Sequence, residues 1–384
     1  MKVPLACPEI TETDIVAVVS VLRSGRLSLG PVLHEFEDAL AAFLNVRYAV
    51  AVNSGTSALQ LALRALNIVE GDEVILPSFS FMAVTNAILS ERAVPVFVDI
   101  ARGSCNMALD SIEAALSERT RAIVIVHSFG CPAPAEEIVA FARRHSLATI
   151  EDACEALGSE RNGRKSGTLA DIGTLAFYPN KIITTGEGGA LVTNSAALAE
   201  RVRSLSNQGR IPCGDWFQHF EPGSSYRISD INCALGLQQL ARIETILRRR
   251  ETVAENYRAR LRAMSGVTFF GNDGRNQSRI SWFTFPVLLD PSFTRGDRDE
   301  IWTELKRRGV ESGRYFAPSH LQPALRGLPF QCGGLSETIS FSERLLCLPL
   351  FDSITGEQLD FVCGSLAEIL DEIASRRMAH AAVS

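Results

Sequence analysis

The chain has no uninterrupted apolar run approaching the roughly 18 residues that a membrane-spanning helix needs, so no span is expected. Its first ten residues, MKVPLACPEI, lack the long apolar core of a secretory signal. The nine cysteines are scattered from Cys7 to Cys363, no CxxC occurs and the count is odd. Free thiols in a reducing cytosol follow, rather than a disulfide framework or a zinc site. None of the six histidines forms HExxH, and no metal site is expected. There is no basic excess either. Lys and Arg number 38 against 44 Asp and Glu, a net charge of −6, which argues against a nucleic-acid partner. Gly186, Gly188 and Gly189 do not make a GxGxxG, so a Rossmann-type dinucleotide site is unsupported. Internal repeats and low-complexity segments are lacking. The chain is expected to be cytoplasmic.

What remains is an ordinary globular composition. The 384 residues are 46% hydrophobic and 21% charged, which favours two domains with sizeable cores. Short β-branched runs recur at 47–52, 73–76, 94–99, 122–127, 148–152, 172–177 and 190–193. Helical apolar spacing fills 57–66, 81–89 and 135–145 between the earlier ones. Strands alternating with helices imply crossovers and a mostly parallel sheet covered on both faces. One long helix is predicted over about 229–261, then a turn-rich break at 271–277 and a second αβ pattern (281–289, 299–308, 358–374). The fold class is therefore α/β. We assign residues 1–245 to a large domain with an N-terminal arm and 246–384 to a smaller C-terminal α/β domain, with a frayed tail at 379–384. The stretch GSERNGRKS at 158–166 resembles a phosphate loop but has no good helix after it, and a turn with solvated charges accounts for it better.

Three segments carry chemistry. Asn53-Ser54-Gly55-Thr56-Ser57 lies between a strand and a helix. Small residues and the helix's first N–H groups favour a phosphate there, with Thr56 and Ser57 hydroxyls as further donors; an N-cap and nothing more is the alternative. Glu151 and Asp152 end a strand, where open α/β sheets bind ligands. Successive strand residues face opposite sides, so one of the two faces the ligand and the other does not. A carboxylate in that place holds a cation or a protonated ring nitrogen, or is simply a turn acid. Lys181 stands in the Pro/Asn/Gly-rich stretch Phe177–Gly189 between two strands. Lysine is the residue that forms Schiff bases, although an exposed loop lysine is commoner. The order decides between these readings. A phosphate cradle, an acid and, 29 residues after Asp152, a loop lysine match a cofactor with a phosphate, a pyridinium nitrogen and an aldehyde, namely pyridoxal phosphate. Phe81, just after the second strand, is placed to stack on its ring.

With these residues in view, the chain resembles the DegT/DnrJ/EryC1/StrS family of sugar aminotransferases, within the fold type I (aspartate-aminotransferase-like) pyridoxal phosphate enzymes. The similarity covers nearly the whole chain. Its most specific parts are Ser54-Gly55-Thr56-Ser57-Ala58-Leu59, Glu151-Asp152-Ala153 and Asn180-Lys181-Ile182-Ile183-Thr184-Thr185-Gly186-Glu187-Gly188-Gly189. Gly71-Asp72-Glu73-Val74-Ile75, Tyr226-Arg227-Ile228-Ser229-Asp230 and Pro318-Ser319-His320-Leu321-Gln322-Pro323 extend it.

The resemblance implies a homodimeric transaminase with a shared active site and pyridoxal 5'-phosphate as cofactor. L-glutamate is the expected amino donor, and a nucleotide-diphosphate-linked keto-sugar the expected acceptor, in amino-sugar biosynthesis. Lys181 would bond to the cofactor's aldehyde and then act as the proton-transferring base. Asp152 would pair with the pyridinium nitrogen, Gly55, Thr56 and Ser57 would bind the phosphate, and Phe81 would lie against the ring. Glu155 falls where relatives often carry Gln or His near the phenolic oxygen. Ser225 stands where many have an Asn that reaches the phosphate from the partner subunit, and Ala176 stands where many have a Ser phosphate donor. Tyr315 and His320 fall in the stretch that approaches the sugar. A keto-inositol or another non-nucleotide acceptor stays open, as does a non-catalytic cofactor-binding regulator. The regulator is disfavoured by the acidic charge and by a length that leaves little beyond the catalytic fold. A dehydratase of the same fold is disfavoured by Lys181, because such relatives carry His there.

Overall fold

A computed structural model describes residues 1–210, 218–269 and 278–381. The break expected at 271–277 lies outside the described residues, as do Cys213 and the last three residues of the expected tail. Two helices open the chain. Helix α1 (Glu12–Ser24) starts at a capping box in which Thr11 and Asp14 bond each other's backbone N–H groups. Helix α2 (Pro31–Leu44) has proline at its first position. Its entry is fixed from far along the chain, because the buried Asp230 carboxylate accepts from Gly30 N–H (2.8 Å) and Val32 N–H (3.1 Å).

From there strands and helices alternate. They are β1 (Tyr48–Val52), α3 (Gly55–Ala65), β2 (Glu73–Pro77), α4 (Met82–Ser90), β3 (Val94–Val98), α5 (Leu109–Ala114), β4 (Thr120–Val126), α6 (Ala135–Arg144) and β5 (Ala148–Asp152). A small hairpin, β6 (Glu160–Arg161) and β7 (Arg164–Lys165), occupies the phosphate-loop look-alike, turning through Asn162 and Gly163 at positive φ. Strands β8 (Ile172–Ala176) and β9 (Gly189–Thr193) follow, then α7 (Ala196–Ser206), α8 (Asp230–Ala241) and α9 (Ile243–Leu261). The single helix expected over 229–261 is thus two helices. They break at Arg242, whose φ of −112° and ψ of 15° leave the helical region.

The remainder holds β10 (Val267–Phe269), β11 (Ser278–Arg279), β12 (Phe285–Leu289), α10 (Arg295–Arg307), β13 (Gln331–Cys332), α11 (Ser336–Arg344), β14 (Leu345–Leu348) and α12 (Gly356–Ala381). The main sheet has eight strands in the order β1-β9-β8-β5-β4-β2-β3-β13. Strand β9 pairs antiparallel with both neighbours, and the other pairings are parallel, so the expected mostly parallel sheet is present. One core joins α3, α4 and α7 to one face of that sheet, and another packs α6 on the opposite face. The smaller C-terminal α/β part builds its own core from α9, α10, α12 and the antiparallel sheet β10-β12-β14. An aromatic cluster including Phe79, Phe129, Phe283 and Phe341 wedges between the two parts. The domain division at 245/246 falls within α9, and we retain it as a proposal about folding units.

Candidate active site

Parallel strands bring the ends of β1, β2, β4, β5 and β8 to one edge of the sheet, where the chain turns into loops and helix starts. A cavity of about 340 Å³ opens there. Gly55, Thr56, Phe81, Asp152, Glu155, Lys181 and Tyr315 all line it, although they lie as far as 260 residues apart in sequence.

The helix start comes from Ser54, which leaves β1 in an extended conformation and caps α3 by accepting the Ser57 N–H at 3.1 Å. Glycine is required next, since a Cβ on Gly55 would stand 2.8 Å from Ala176 Cβ and 3.1 Å from Cys154 Sγ. The Ser57 hydroxyl points away from this space and donates to Asn53 Oδ1 at 2.7 Å. Ala176 lines the cavity with a methyl group only.

Lys181 sits in the loop between antiparallel β8 and β9. The loop closes on itself through Phe177 N–H to Gly188 O (2.9 Å) and Thr185 N–H to Phe177 O (3.0 Å). It then lies directly on the helix start, because a Cβ on Gly189 would be 2.5 Å from the Ser54 carbonyl carbon and oxygen. Those glycines are what bring amine and cradle together. Lys181 Nζ is 3.4 Å from Glu155 Oε1 and 4.3 Å from the Phe283 ring centre. The other oxygen, Glu155 Oε2, accepts from Phe129 N–H at 2.9 Å. Burial pushes the Glu155 carboxyl above the usual carboxylate range, against the opposing pull of the Lys181 charge.

The two strand-end acids separate as the alternation requires. Asp152 faces the cavity and accepts the Cys154 N–H at 3.1 Å. Glu151 is wholly buried and accepts from His127 Nε2 (3.0 Å) and from the N–H groups of Gly167 (3.0 Å), Leu169 (2.6 Å) and Ala170 (2.9 Å). Burial alone would raise the Glu151 pKa, but His127 and these backbone donors bring it below the ordinary value. Glu151 is a structural clamp.

Phe81 immediately precedes α4 with 64% of its surface exposed, its ring 6.2 Å from that of Phe316. Tyr315 is pushed up to about 12 by burial, so its phenol keeps its proton at neutral pH. Three expected residues stand apart from the cavity lining: Ser57, turned to Asn53, and also His320 and Ser225. His320 bonds through Nδ1 to Ser78 Oγ at 2.6 Å, and burial lowers its pKa. Ser225 pairs with Asn207 in an isolated antiparallel bridge. Phe283, Phe316, Tyr178, Asn180 and His127 also line the cavity without having been read from the sequence. Tyr178 and Asn180 flank Lys181 and were within reach of that motif; Phe283 and Phe316 arrive by tertiary packing alone.

An amine, the carboxyls of Asp152 and Glu155 among others, a glycine-bearing helix start and aromatic faces in one cavity form a donor set suited to a phosphorylated aldehyde with a basic ring nitrogen. Among the described residues no group of three or more His, Cys, Asp or Glu could hold a metal ion, and no helix is long and apolar enough to cross a membrane.

A sequence profile of the DegT/DnrJ/EryC1/StrS aminotransferase family matches residues 8–367. GDP-perosamine synthase of Caulobacter vibrioides is 36% identical over 371 residues, covering 96% of this chain and 98% of that protein. Helicobacter pylori PseC, described as an aminotransferase of pseudoaminic acid biosynthesis, superposes with a TM-score of 0.91 at 28% identity, covering 97% of this chain and all of that one. Spr1654 from Streptococcus pneumoniae in its PLP form gives 0.90 at 27% identity, with the same coverage.

Proposed function

The chain belongs to the DegT/DnrJ/EryC1/StrS aminotransferase family, and from that premise we propose that it transfers an amino group from L-glutamate to a ketone on a nucleotide-diphosphate-linked sugar, with pyridoxal 5'-phosphate as carrier. The observation that carries this reading is Lys181 Nζ in one cavity with Asp152, Glu155 and the first turn of α3. Bound there, the cofactor supplies an aldehyde that takes up the amino group and a ring that draws electrons from the adjacent carbon.

The chain's own groups do the rest. Asp152, which lines the cavity, would hold the ring-nitrogen proton. The N–H groups of Gly55 and Thr56, with the Thr56 hydroxyl and the helix dipole, hold the phosphate. Ser57 acts by shaping that turn, since its hydroxyl is committed to Asn53. Phe81 would lie against the ring. Lys181 would carry the proton between the reacting carbons, and Glu155, 3.4 Å away, would hold it in between. The acceptor side is walled by Phe283, Tyr315 and Phe316, whose flat faces suit the C–H face of a sugar ring; Tyr315 would contact the sugar.

We further propose a homodimer with a shared site, in which Ser225 serves the partner's phosphate. Phe81 and Tyr178, 64% and 51% exposed at the cavity, form the apolar lip that a second copy covers. Light scattering at twice the single-chain mass supports this; a monomer at micromolar concentration refutes it.

Glutamate consumption over a panel of nucleotide-linked keto-sugars and keto-inositols tests the function. Turnover is expected with a sugar nucleotide; turnover of keto-inositols alone overturns the acceptor. Lys181→Ala should abolish turnover while the protein stays folded, and sustained steady-state transamination by that variant refutes the assignment. Borohydride reduction followed by peptide mass mapping should label Lys181.

A further inference from the structure

A second cleft, of about 450 Å³, lies on the C-terminal part, and Arg295, Arg298, Arg314, Leu321, Gln322 and Glu343 line it. Its chemistry is unlike that of the Lys181 cavity. Three guanidinium groups converge, all of them on Asp299. Arg298 Nε is 2.7 Å from Asp299 Oδ1, Arg314 Nη1 is 2.9 Å from the same oxygen, and Arg295 Nε is 3.9 Å from Oδ2. Even with Glu343 included, three cations face two carboxylates.

The three are not equivalent. Arg298 is buried and built in, with Nη1 also donating to Ser342 O at 2.8 Å. Arg314 is held flat, its guanidinium carbon 4.0 Å over the Trp302 ring. Arg295 has a side chain 69% exposed and, at 3.9 Å from Asp299, makes no direct hydrogen bond to it. It also occupies the first turn of α10, where the helix's own N–H groups add positive potential. Burial lowers the Arg298 pKa, the attraction of Asp299 opposes that, and repulsion from Arg314 and Arg295 adds a smaller push in the same direction as burial. Two positioned guanidiniums and one with donors to spare are the arrangement that takes a multivalent oxyanion.

We propose that this cleft binds a diphosphate group. Its location gives that a consequence: Arg314 and Ala317 line the cleft, and Tyr315 and Phe316 between them line the Lys181 cavity. One stretch of backbone is therefore the wall between the two. A diphosphate seated here belongs either to the nucleotide-linked acceptor, in which case the inference rests on the function proposed above, or to a separate phosphorylated ligand that acts on that wall.

Calorimetric titration of the cofactor-loaded protein with inorganic pyrophosphate tests the site. One saturable site per chain is expected, weakening as salt rises. Arg295→Glu should weaken it by about tenfold or more, and Arg295→Gln by less. Arg307→Glu, on the same helix but with its guanidinium paired to Glu304 at 2.8 Å, should leave it unchanged. No saturable binding, or equal binding by wild type and Arg295→Glu, overturns the proposal. A second arm separates the sources. If the diphosphate is the acceptor's, Arg295→Glu raises the acceptor KM with kcat kept, and pyrophosphate competes with acceptor. If it belongs to another ligand, pyrophosphate still binds the acceptor-saturated enzyme. Failure of every sugar nucleotide as acceptor refutes the proposed function and leaves the first arm readable.

Discussion

Glu155 carries its largely buried carboxyl to the cavity wall, where one oxygen is spent on the Phe129 N–H and the other faces Lys181. Burial, the dominant influence, raises its pKa above the ordinary 4.5. The native carboxyl therefore keeps a proton that the unfolded chain has already lost. Between those two values the native state binds more protons, and this group's contribution to stability declines as pH climbs from about 4.5. Glu155→Gln abolishes that titration. Thermal melts of the cofactor-free proteins across pH should show the difference in melting temperature moving in the variant's favour as pH rises. A difference that stays flat, or moves toward wild type, removes Glu155 as a proton-holding group.

Among the elements, the start of α3 packs closely against β8 and the end of the Lys181 loop. Gly55→Ala adds a methyl group 2.8 Å from Ala176 Cβ, so either the helix start or β8 must shift. Overpacking of this kind costs about 1–3 kcal/mol. We expect a lower melting temperature, and weaker cofactor binding measured by absorbance, with α-helix content by circular dichroism unchanged. Wild-type cofactor affinity in this variant would remove the α3 start as the phosphate cradle. The same contact explains what was legible in the sequence. Strands buried on both faces announce themselves as apolar runs, so β1 to β5, β8 and β9 were readable to within two or three residues. The segments Ser54–Ser57, Glu151–Asp152 and the Lys181 loop were readable because their chemistry needs particular residue types in a particular order. The break at Arg242 was hidden because apolar spacing continues across it from Leu240 to Ile243 and Leu247. The Phe283 and Phe316 walls were hidden because a phenylalanine brought in by packing carries no local signal, and the turning of the Ser57 hydroxyl to Asn53 is a rotamer choice that no spacing encodes.

For the whole molecule, the N-terminal arm is the piece that spans both parts. Val3 is buried and bridges in parallel to Val310; its carbonyl accepts from Glu311 N–H at 2.9 Å. Leu5 O accepts from Leu350 N–H at 3.1 Å, which ties the arm to the C-terminal part. A few residues on, Glu9 O accepts from Gln239 Nε2 and Arg242 Nη2, both at 2.9 Å, which ties it to α8 and the residue beyond it. Arg242 in turn grips the buried Asp14 with both terminal nitrogens at 2.7 Å. The arm thus fixes how the C-terminal part sits against the sheet edge, and Tyr315 and Phe316 reach the Lys181 cavity from that C-terminal part. Deleting residues 2–6 loses the burial of Val3, about 1.5–3 kcal/mol, together with the bonds to Glu311 and Leu350. It leaves Glu9, α1 and the residues of the cavity intact. The expected outcome is a lower melting temperature with the cofactor still bound, and an acceptor KM raised more than the donor KM, because the aromatic wall is what loosens. Equal effects on both substrates would mean that the arm serves general stability and does not hold the wall.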